Sequence, residues 1–142
     1  MLLADVNVFI YAHRPESTHH QHYRDWLTRR LSGLEPFGVS ELVLSSFLRI
    51  VTNHRVYREP TPPGQALEFC RVVREAPSAV IVRPGPRHWE LFAGYVGELG
   101  LRSNDIPDAY LAALAMDAGA TWITTDRGFA RFPGLRWATP LG

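Results

Sequence analysis

Four acidic residues stand where an apolar segment meets a loop or a helix begins: Asp5, Glu41, Asp108 and Asp126. Capping and turn chemistry explains any one of them taken singly. Brought together, carboxylates within about 4–6 Å oppose each other's ionisation, and a hard divalent cation with oxygen ligands removes that conflict. Mg²⁺ or Mn²⁺ in a carboxylate cluster is the usual equipment of phosphodiester hydrolysis, in which a metal-bound water attacks phosphorus.

The elements that must position these acids follow from the hydrophobic pattern, in which short apolar stretches alternate with amphipathic ones. We predict strands over residues 2–5, 37–39, 78–82, 120–124 and 135–138. We predict helices over about 17–33, from Ser40 onward, over 65–75, 87–99 and 106–118, and a helical turn over 7–13. Strands that alternate with helices indicate the α/β class, with a mostly parallel central sheet covered on both faces.

All four acids fall at one edge of that predicted sheet. Asp5 ends the first strand, Asp126 follows "TWIT", and Glu41 opens the helix after "FGV". Asp108 lies in the first turn of a helix whose start must face the same edge if the next strand is parallel to the first. Ligands of such sheets bind outside the carboxyl ends of the strands, where the strand order reverses. The pattern therefore predicts a shared carboxylate site there.

Length and composition limit the class of protein. With 142 residues, 46% of them hydrophobic, the chain fits one domain over residues 1–142. No apolar run reaches the roughly 20 residues of a membrane span, and no basic region precedes the apolar start as it would in a signal peptide. One cysteine, Cys70, excludes an internal disulfide and a cysteine metal cluster, which favours a cytoplasmic setting.

Every cation of the chain is an arginine. There are 15 arginines and no lysine, a bias that codon usage in a GC-rich genome explains. Neutralising four of the 14 acids would leave a net charge of +5, which suits a polyanionic substrate. Planar guanidinium groups suit phosphate and carboxylate partners. We expect RNA or a protein partner to contact Arg14, Arg49, Arg55 and Arg58.

Three blocks, "ADVNVFIYA", "SELVLSSFLRIVTNHRVY" and "DAYLAALAMDAGATWITTDRGFARFPGLRW", resemble PIN-domain ribonucleases, above all the VapC-type toxins of bacterial toxin–antitoxin pairs. The likeness runs in order from Leu3 to Leu141. It implies a three-layer α/β/α fold and a Mg²⁺- or Mn²⁺-dependent endoribonuclease that leaves 5′-phosphate and 3′-hydroxyl ends. It also implies a homodimer that is inhibited by a small antitoxin, whose tail occupies the groove near the site.

The resemblance carries the family's metal-site acids onto Asp5, Glu41, Asp108 and Asp126. Residues that we expect to orient those acids or touch substrate are Asn7, Thr124, Thr125, Asn104 and Asp105. Of the two aspartates before the 106–118 helix, we expect Asp108 to be the metal ligand. We expect Asp105, two residues before Pro107, to be the N-cap.

Other interpretations of the sequence have less support. His19, His20 and His22 suggest zinc, but a capping box formed by Thr18 and Gln21 would place them on a solvated helix face. A phosphoacceptor receiver or a haloacid dehalogenase-type phosphatase would need a lysine, and the chain has none. A catalytically inert PIN-like protein-binding module stays open, although all four acids are present.

Overall fold

Five short parallel strands form the centre of the protein. The computed structural model describes residues 1–142. The strands are β1 (Leu2–Ala4), β2 (Phe37–Val39), β3 (Ala79–Ile81), β4 (Thr121–Ile123) and β5 (Trp137–Ala138). The helices are α1 (Val6–His13), α2 (His20–Ser32), α3 (Glu41–Val51), α4 (Pro63–Arg74), α5 (His88–Leu99) and α6 (Asp105–Ala118), and a 3₁₀ helix spans Arg127–Arg131. The predicted α/β class is confirmed, and no helix combines the length and apolarity that crossing a membrane requires.

The strand order reverses in the middle of the sheet. The order is β3-β2-β1-β4-β5 and every pair is parallel. The chain therefore moves outward in one direction from β1 to β3 and then returns to the other side of β1 as β4. Leu3 pairs with Trp122 and Ala4 with Ile123. This register places Asp5 beside Thr124 at the carboxyl edge, where α/β sheets form a crevice.

Helices cover both faces of the sheet. Right-handed crossovers from β1 to β2 and from β2 to β3 place α1 to α4 on one face, and the return from β3 to β4 places α5 and α6 on the other. The contacts agree, because α1 packs on α2 and α3, α3 packs on α4, and α5 packs on α6. The sheet and its helices together enclose a core of 30 buried hydrophobic residues, which supports the edge that carries the acids.

The capping predictions had mixed outcomes. Ser40 caps α3 as predicted, since its Oγ accepts the Val43 N–H at 3.4 Å. The predicted capping box of α2 is wrong, because α2 begins at His20 and no side chain caps it. His19 holds the N-cap position in a left-handed conformation with φ 59°. The Ser17 carbonyl accepts the first N–H of α2, that of His20, at 3.1 Å, and Gln21 instead donates to Asp25 at 2.8 Å.

Gly38 lies where β2 packs closely against its neighbours. A Cβ at this position in β2 would lie 2.9 Å from the Leu2 carbonyl oxygen and 3.1 Å from Val82 Cγ2. Gly38→Ala should therefore lower the free energy of unfolding by about 1–3 kcal/mol through overpacking. Urea unfolding followed by circular dichroism measures the change.

Gly97→Ala is the matched control for Gly38→Ala. Gly97 lies inside α5, with no atom within 4 Å of a Cβ built there. Gly97→Ala should raise the free energy of unfolding by up to about 1 kcal/mol, because alanine has a higher helix propensity than glycine. Equal effects of the two substitutions would contradict the assigned packing of β2.

Candidate metal and active site

Asp5 lies at the junction of β1 and α1. Its side chain is only 6% exposed. One carboxylate oxygen, Oδ1, accepts the N–H of Val6 at 2.7 Å and so caps α1. The other oxygen, Oδ2, accepts the hydroxyl proton of Thr124 at 2.7 Å. Both oxygens are therefore held in fixed directions at the carboxyl edge of the sheet.

Thr124 connects Asp5 to Asp126. The threonine follows β4 and is fully buried. While its hydroxyl donates to Asp5, its oxygen accepts the backbone N–H of Asp126 at 3.0 Å. One hydroxyl thus fixes a carboxylate that follows β1 and the backbone of a second acid that follows β4. We predicted an orienting role for either Thr124 or Thr125, and these hydrogen bonds assign it to Thr124.

Asp126 is the N-cap of the 3₁₀ helix. Its Oδ1 accepts the N–H of Gly128 at 2.8 Å. A Cβ on Gly128 would lie 2.9 Å from that same oxygen and 3.0 Å from Arg131 Nη1. The glycine therefore allows the turn to close tightly around the carboxylate, and Asp126 Oδ2 has no partner within the protein.

Asp108 lies in the first turn of α6 and faces a cation of the same chain. Arg131, at the end of the 3₁₀ helix, donates to Asp108 Oδ2 at 3.0 Å and to Asp105 Oδ1 at 3.3 Å. Its guanidinium also donates to the Gly128 carbonyl. Arg131 is therefore the positive charge at the centre of this acidic edge.

Two acids at this edge, Asp5 and Asp108, have raised pKa values. Burial above all, together with the negative charges of Asp108 and Asp126, raises the pKa of Asp5 from 3.8 to about 6, against the lowering effect of its two hydrogen bonds. Burial also raises the pKa of Asp108 above its usual value, with Arg131 opposing and Asp126 and Asp105 adding to the rise. Three of the four acids, Asp5, Asp108 and Asp126, are thus close enough to repel one another.

Glu41 stands apart from these three. It begins α3 at the same edge, but its side chain is 48% exposed and forms ion pairs with Arg74 at 3.2 Å and Arg83 at 3.4 Å. No three histidine, cysteine, aspartate or glutamate side chains are grouped closely enough to enclose an ion. Glu41 would have to leave its two arginines, and Asp108 would have to leave Arg131, for all four acids to share a cation.

A buried amide oxygen lies in the first turn of α1. Oδ1 of Asn7, two residues after Asp5, is buried and has no hydrogen-bond partner. Leaving a buried oxygen unpaired costs about 1–3 kcal/mol unless a ligand, water or ion satisfies it. Aspartate and asparagine oxygens are the donors that Mg²⁺ and Mn²⁺ prefer. The donor set of Asp5, Asp108, Asp126 and Asn7 therefore fits a hard divalent cation.

The prediction that Asp105 is the N-cap of α6 is wrong. The helix begins at Asp105 itself, and Asn104 occupies the N-cap position without a capping side-chain hydrogen bond. Ser103 adopts a left-handed conformation with φ 49°, and the carbonyls of Arg102 and Ser103 accept the N–H groups of Asp105 and Ile106. A backbone turn therefore performs the work of a side-chain cap, which leaves Asp105 free to pair with Arg131.

Arg14 differs from the three other arginines that we singled out. It lies at the end of α1, away from Asp5, where it donates to Thr61 Oγ1 at 3.0 Å and to the Glu59 carbonyl at 2.9 Å. Its guanidinium stacks 4.1 Å from the Tyr57 ring centroid. These contacts give Arg14 a structural role in holding the 57–61 segment against α1.

The three other arginines are exposed. Arg49 lies at the far end of α3, about 12 Å along the helix from Glu41. Arg55 and Arg58 lie in the turns after α3. The structure pairs none of them with an acid, and it places none of them beside the three repelling acids.

Comparison with known proteins agrees with this geometry. The model of the PIN domain family matches residues 2–135. The VapC ribonuclease Mb2897 of Mycobacterium bovis is 47% identical over 141 residues, which cover 99% of this chain and 96% of that protein. Ribonuclease VapC25 of Mycobacterium tuberculosis is 39% identical and covers 99% of each chain. The chain therefore belongs to the PIN-domain family and, within it, to the VapC proteins.

Solved structures share the fold. VapBC2 from Rickettsia felis, bound to a DNA fragment from its promoter, superposes with a TM-score of 0.71 at 18% identity over 97% of each chain. Mycobacterium tuberculosis VapC20, described as a sarcin–ricin loop cleaving toxin, gives 0.67 at 14% identity over 96% of this chain and 99% of that one. The three-layer α/β/α PIN-like architecture predicted from the sequence is confirmed.

The raised pKa of Asp5 predicts a pH-dependent stability. Between pH 3.8 and about 6 the folded protein keeps a proton that the unfolded chain has lost, so the free energy of unfolding should fall as the pH rises through this window. Asp5→Asn removes the buried charge. In EDTA it should gain up to about 3 kcal/mol relative to the parent protein between pH 4 and pH 7.

Urea unfolding at several pH values measures this difference. Asp25→Asn is the control for removing one acid, because Asp25 is exposed on α2 and lies outside the carboxylate cluster. Parallel pH profiles for Asp5→Asn and the parent protein would show that Asp5 does not titrate as its burial requires.

Proposed function

We propose that this protein is a metal-dependent endoribonuclease and the toxin of a toxin–antitoxin pair. The observation that carries the proposal is the buried carboxylate of Asp5 beside those of Asp108 and Asp126 in the crevice between β1 and β4. Relatives named as VapC ribonucleases, at 47% and 39% identity over nearly the whole chain, support the assignment to RNA.

The metal is Mg²⁺ or Mn²⁺, held by Asp5, Asp108 and Asp126, with Glu41 as the fourth acid. The chemistry of the donors supports this choice, since all are hard oxygens and Asn7 adds an unpaired amide oxygen. When bound, such an ion lowers the pKa of a water and offsets the charge of the scissile phosphate.

The residues of the chain then have separate tasks. Thr124 holds Asp5 in position and fixes the Asp126 backbone, so the two acids cannot separate without breaking its hydrogen bonds. Gly128 orients Asp126 by donating to Oδ1, which leaves Oδ2 without a partner in the protein. Arg131 neutralises Asp108 in the metal-free protein and must yield that carboxylate when a cation binds.

The partner is a small antitoxin protein. Solved relatives of the same fold are VapBC toxin–antitoxin complexes from Rickettsia felis and nontypeable Haemophilus influenzae. An arginine from such a partner would pair with the carboxylates in the way that Arg131 already pairs with Asp108. We also propose a homodimer, to which the exposed apolar side chains of Leu42, Val80 and Trp89 are suited. Transfer, ribosomal and messenger RNA are all candidate substrates.

Cleavage of total cellular RNA by purified, antitoxin-free protein tests the function. Discrete fragments should form with Mg²⁺ or Mn²⁺ and disappear with EDTA. Asp5→Asn and Asp126→Asn should each abolish cleavage while circular dichroism shows a folded protein, because each removes one charged ligand from the cation. Asp25→Asn should cleave like the parent. Equal cleavage by Asp5→Asn and the parent protein would reject the site, and no cleavage in any metal would favour an inert binding module.

Asp105 and Asp108 both pair with Arg131, but only Asp108 is proposed as a metal ligand, so substitutions at the two positions should have different effects. Asp108→Asn should lose cleavage as Asp5→Asn does, whereas Asp105→Asn should change the rate less than about threefold, because this exposed side chain contributes one surface ion pair. The initial rate of cleavage of one mapped RNA site measures both. A larger loss for Asp105→Asn than for Asp108→Asn would exchange their roles.

A further inference from the structure

A large groove opens next to Asp126, outside the carboxylate cluster. It has a volume of about 700 Å³, and it lies between α2 and the segment that follows β5. Its floor and sides include residues 139–142, and its ionisable and aromatic side chains are His19, His22, Tyr23, Trp26, Arg29 and Arg127. The volume is within the range of about 300–1,000 Å³ that is usual for ligand pockets.

The charged side chains that line the groove are cationic. Neither an aspartate nor a glutamate side chain lines it. Arg29 and Arg127 form no ion pair with any acid of the chain, whereas Arg131, Arg74 and Arg83 at the acidic edge are all paired. Two unpaired guanidinium groups in one concave surface are suited to bind phosphate oxygens.

The groove and the acidic edge share a boundary. Thr125 and Arg127, which line the groove, are the two sequence neighbours of Asp126. The chain turns there into the 3₁₀ helix, with Asp126 Oδ1 accepting the Gly128 N–H at 2.8 Å, so the carboxylate and two residues of the groove belong to one short turn. The groove therefore begins within one residue of the Asp126 carboxylate along the chain.

Exposed rings stand at the mouth of the groove. His19 and His22 are both exposed, as we predicted for this solvated face, and their ring centroids are 5.8 Å apart at an interplanar angle of 40°. His20, by contrast, is directed inward, where its Nδ1 lies 2.8 Å from the Tyr11 carbonyl oxygen. Flat rings beside cationic side chains are the combination that binds unpaired nucleotides, through stacking and phosphate contacts.

From this juxtaposition we infer that the groove binds an unpaired stretch of the RNA substrate adjacent to the scissile phosphate, with Arg29 and Arg127 on its phosphates and His22 against a base. The inference rests on the proposed function, since it assigns a second contact to the same substrate. RNA is favoured over an acidic peptide because the exposed His19 and His22 rings beside Arg29 and Arg127 can stack on bases, which a peptide of acidic side chains lacks.

Fluorescence anisotropy with the inactive Asp5→Asn protein tests the groove. The probe is a short 5′-fluorescein-labelled oligouridylate, and the parent chain for comparison is Asp5→Asn alone. Adding Arg29→Gln or Arg127→Gln should weaken binding by about 5- to 30-fold. Each should also reduce the slope of log affinity against log salt by about 0.7, the value for one phosphate contact on a single strand. Adding His22→Ala should weaken binding without changing the slope, because stacking involves no counterion release.

Arg24→Gln is the matched control on the same helix. Arg24 is also an unpaired α2 arginine, but it lines a separate groove with Leu27 and Phe69. It should change the affinity by less than about twofold and should leave the salt slope unaltered. In the catalytically competent protein, Arg29→Gln should raise KM much more than it lowers kcat.

The possible results separate the two proposals. If the wild-type protein cleaves RNA and the groove variants bind oligouridylate as Arg24→Gln does, the groove inference is wrong and the nuclease stands. If the wild-type protein cleaves nothing and Asp5→Asn binds no RNA, the proposed function fails and the inference with it. If Arg29→Gln loses binding to labelled oligoglutamate but keeps binding to oligouridylate, the groove is a site for acidic peptide, and the RNA assignment is overturned.

Discussion

The hydroxyl of Thr124 is the interaction on which the site depends. It joins the end of β1 to the end of β4 by donating to Asp5 and accepting from the Asp126 backbone. Without it, a carboxylate that is 6% exposed would lose a hydrogen bond that offsets part of its burial. The parallel register of β1 and β4 then follows as a requirement, because only that register brings Asp5 and Thr124 side by side.

The sequence could predict the fold and the location of the site because the relevant signals are local. Alternating apolar stretches gave the strands, and Ser40 before an apolar helix gave the start of α3, with Glu41 in its first turn. Asp5 follows β1 directly and Asp126 lies three residues after the end of β4, so the topology alone placed them at one edge. The strand order, with its reversal between β1 and β4, turned a shared edge into a shared crevice.

Other features depended on contacts that no local pattern contains. The 3₁₀ helix after Asp126 brings Arg131 to Asp108 across 23 residues of sequence, and nothing in "DRGFAR" indicates that pairing. Glu41 meets Arg74 and Arg83 through tertiary packing of α3, α4 and the loop after β3. The capping predictions at Thr18 and Asp105 failed in the same way, since a left-handed residue, at position 19 or 103, precedes each helix and backbone carbonyls accept its first N–H groups: one in α2 and two in α6.

Arginine side chains neutralise two of the four acids in the metal-free protein. Asp108 pairs with Arg131, and Glu41 pairs with Arg74 and Arg83, whereas Asp5 and Asp126 have no arginine partner. A divalent cation and these guanidinium groups therefore compete for the same oxygens. The cost of opening those ion pairs is small where both side chains are largely exposed, as at Glu41, and larger at the half-buried Asp108.

The distance along the chain between β1 and β4 also determines when the site can exist during synthesis. Leu3 pairs with Trp122, and Asp126 is synthesised 121 residues after Asp5. At about 5–20 residues per second, a ribosome needs about 6–24 s to add the residues between them. During that interval the nascent chain contains Asp5 and then gains Glu41 and Asp108. It still lacks the complete β4 strand and Asp126. A growing polypeptide still attached to its own ribosome thus lacks a formed centre until nearly the whole domain has emerged.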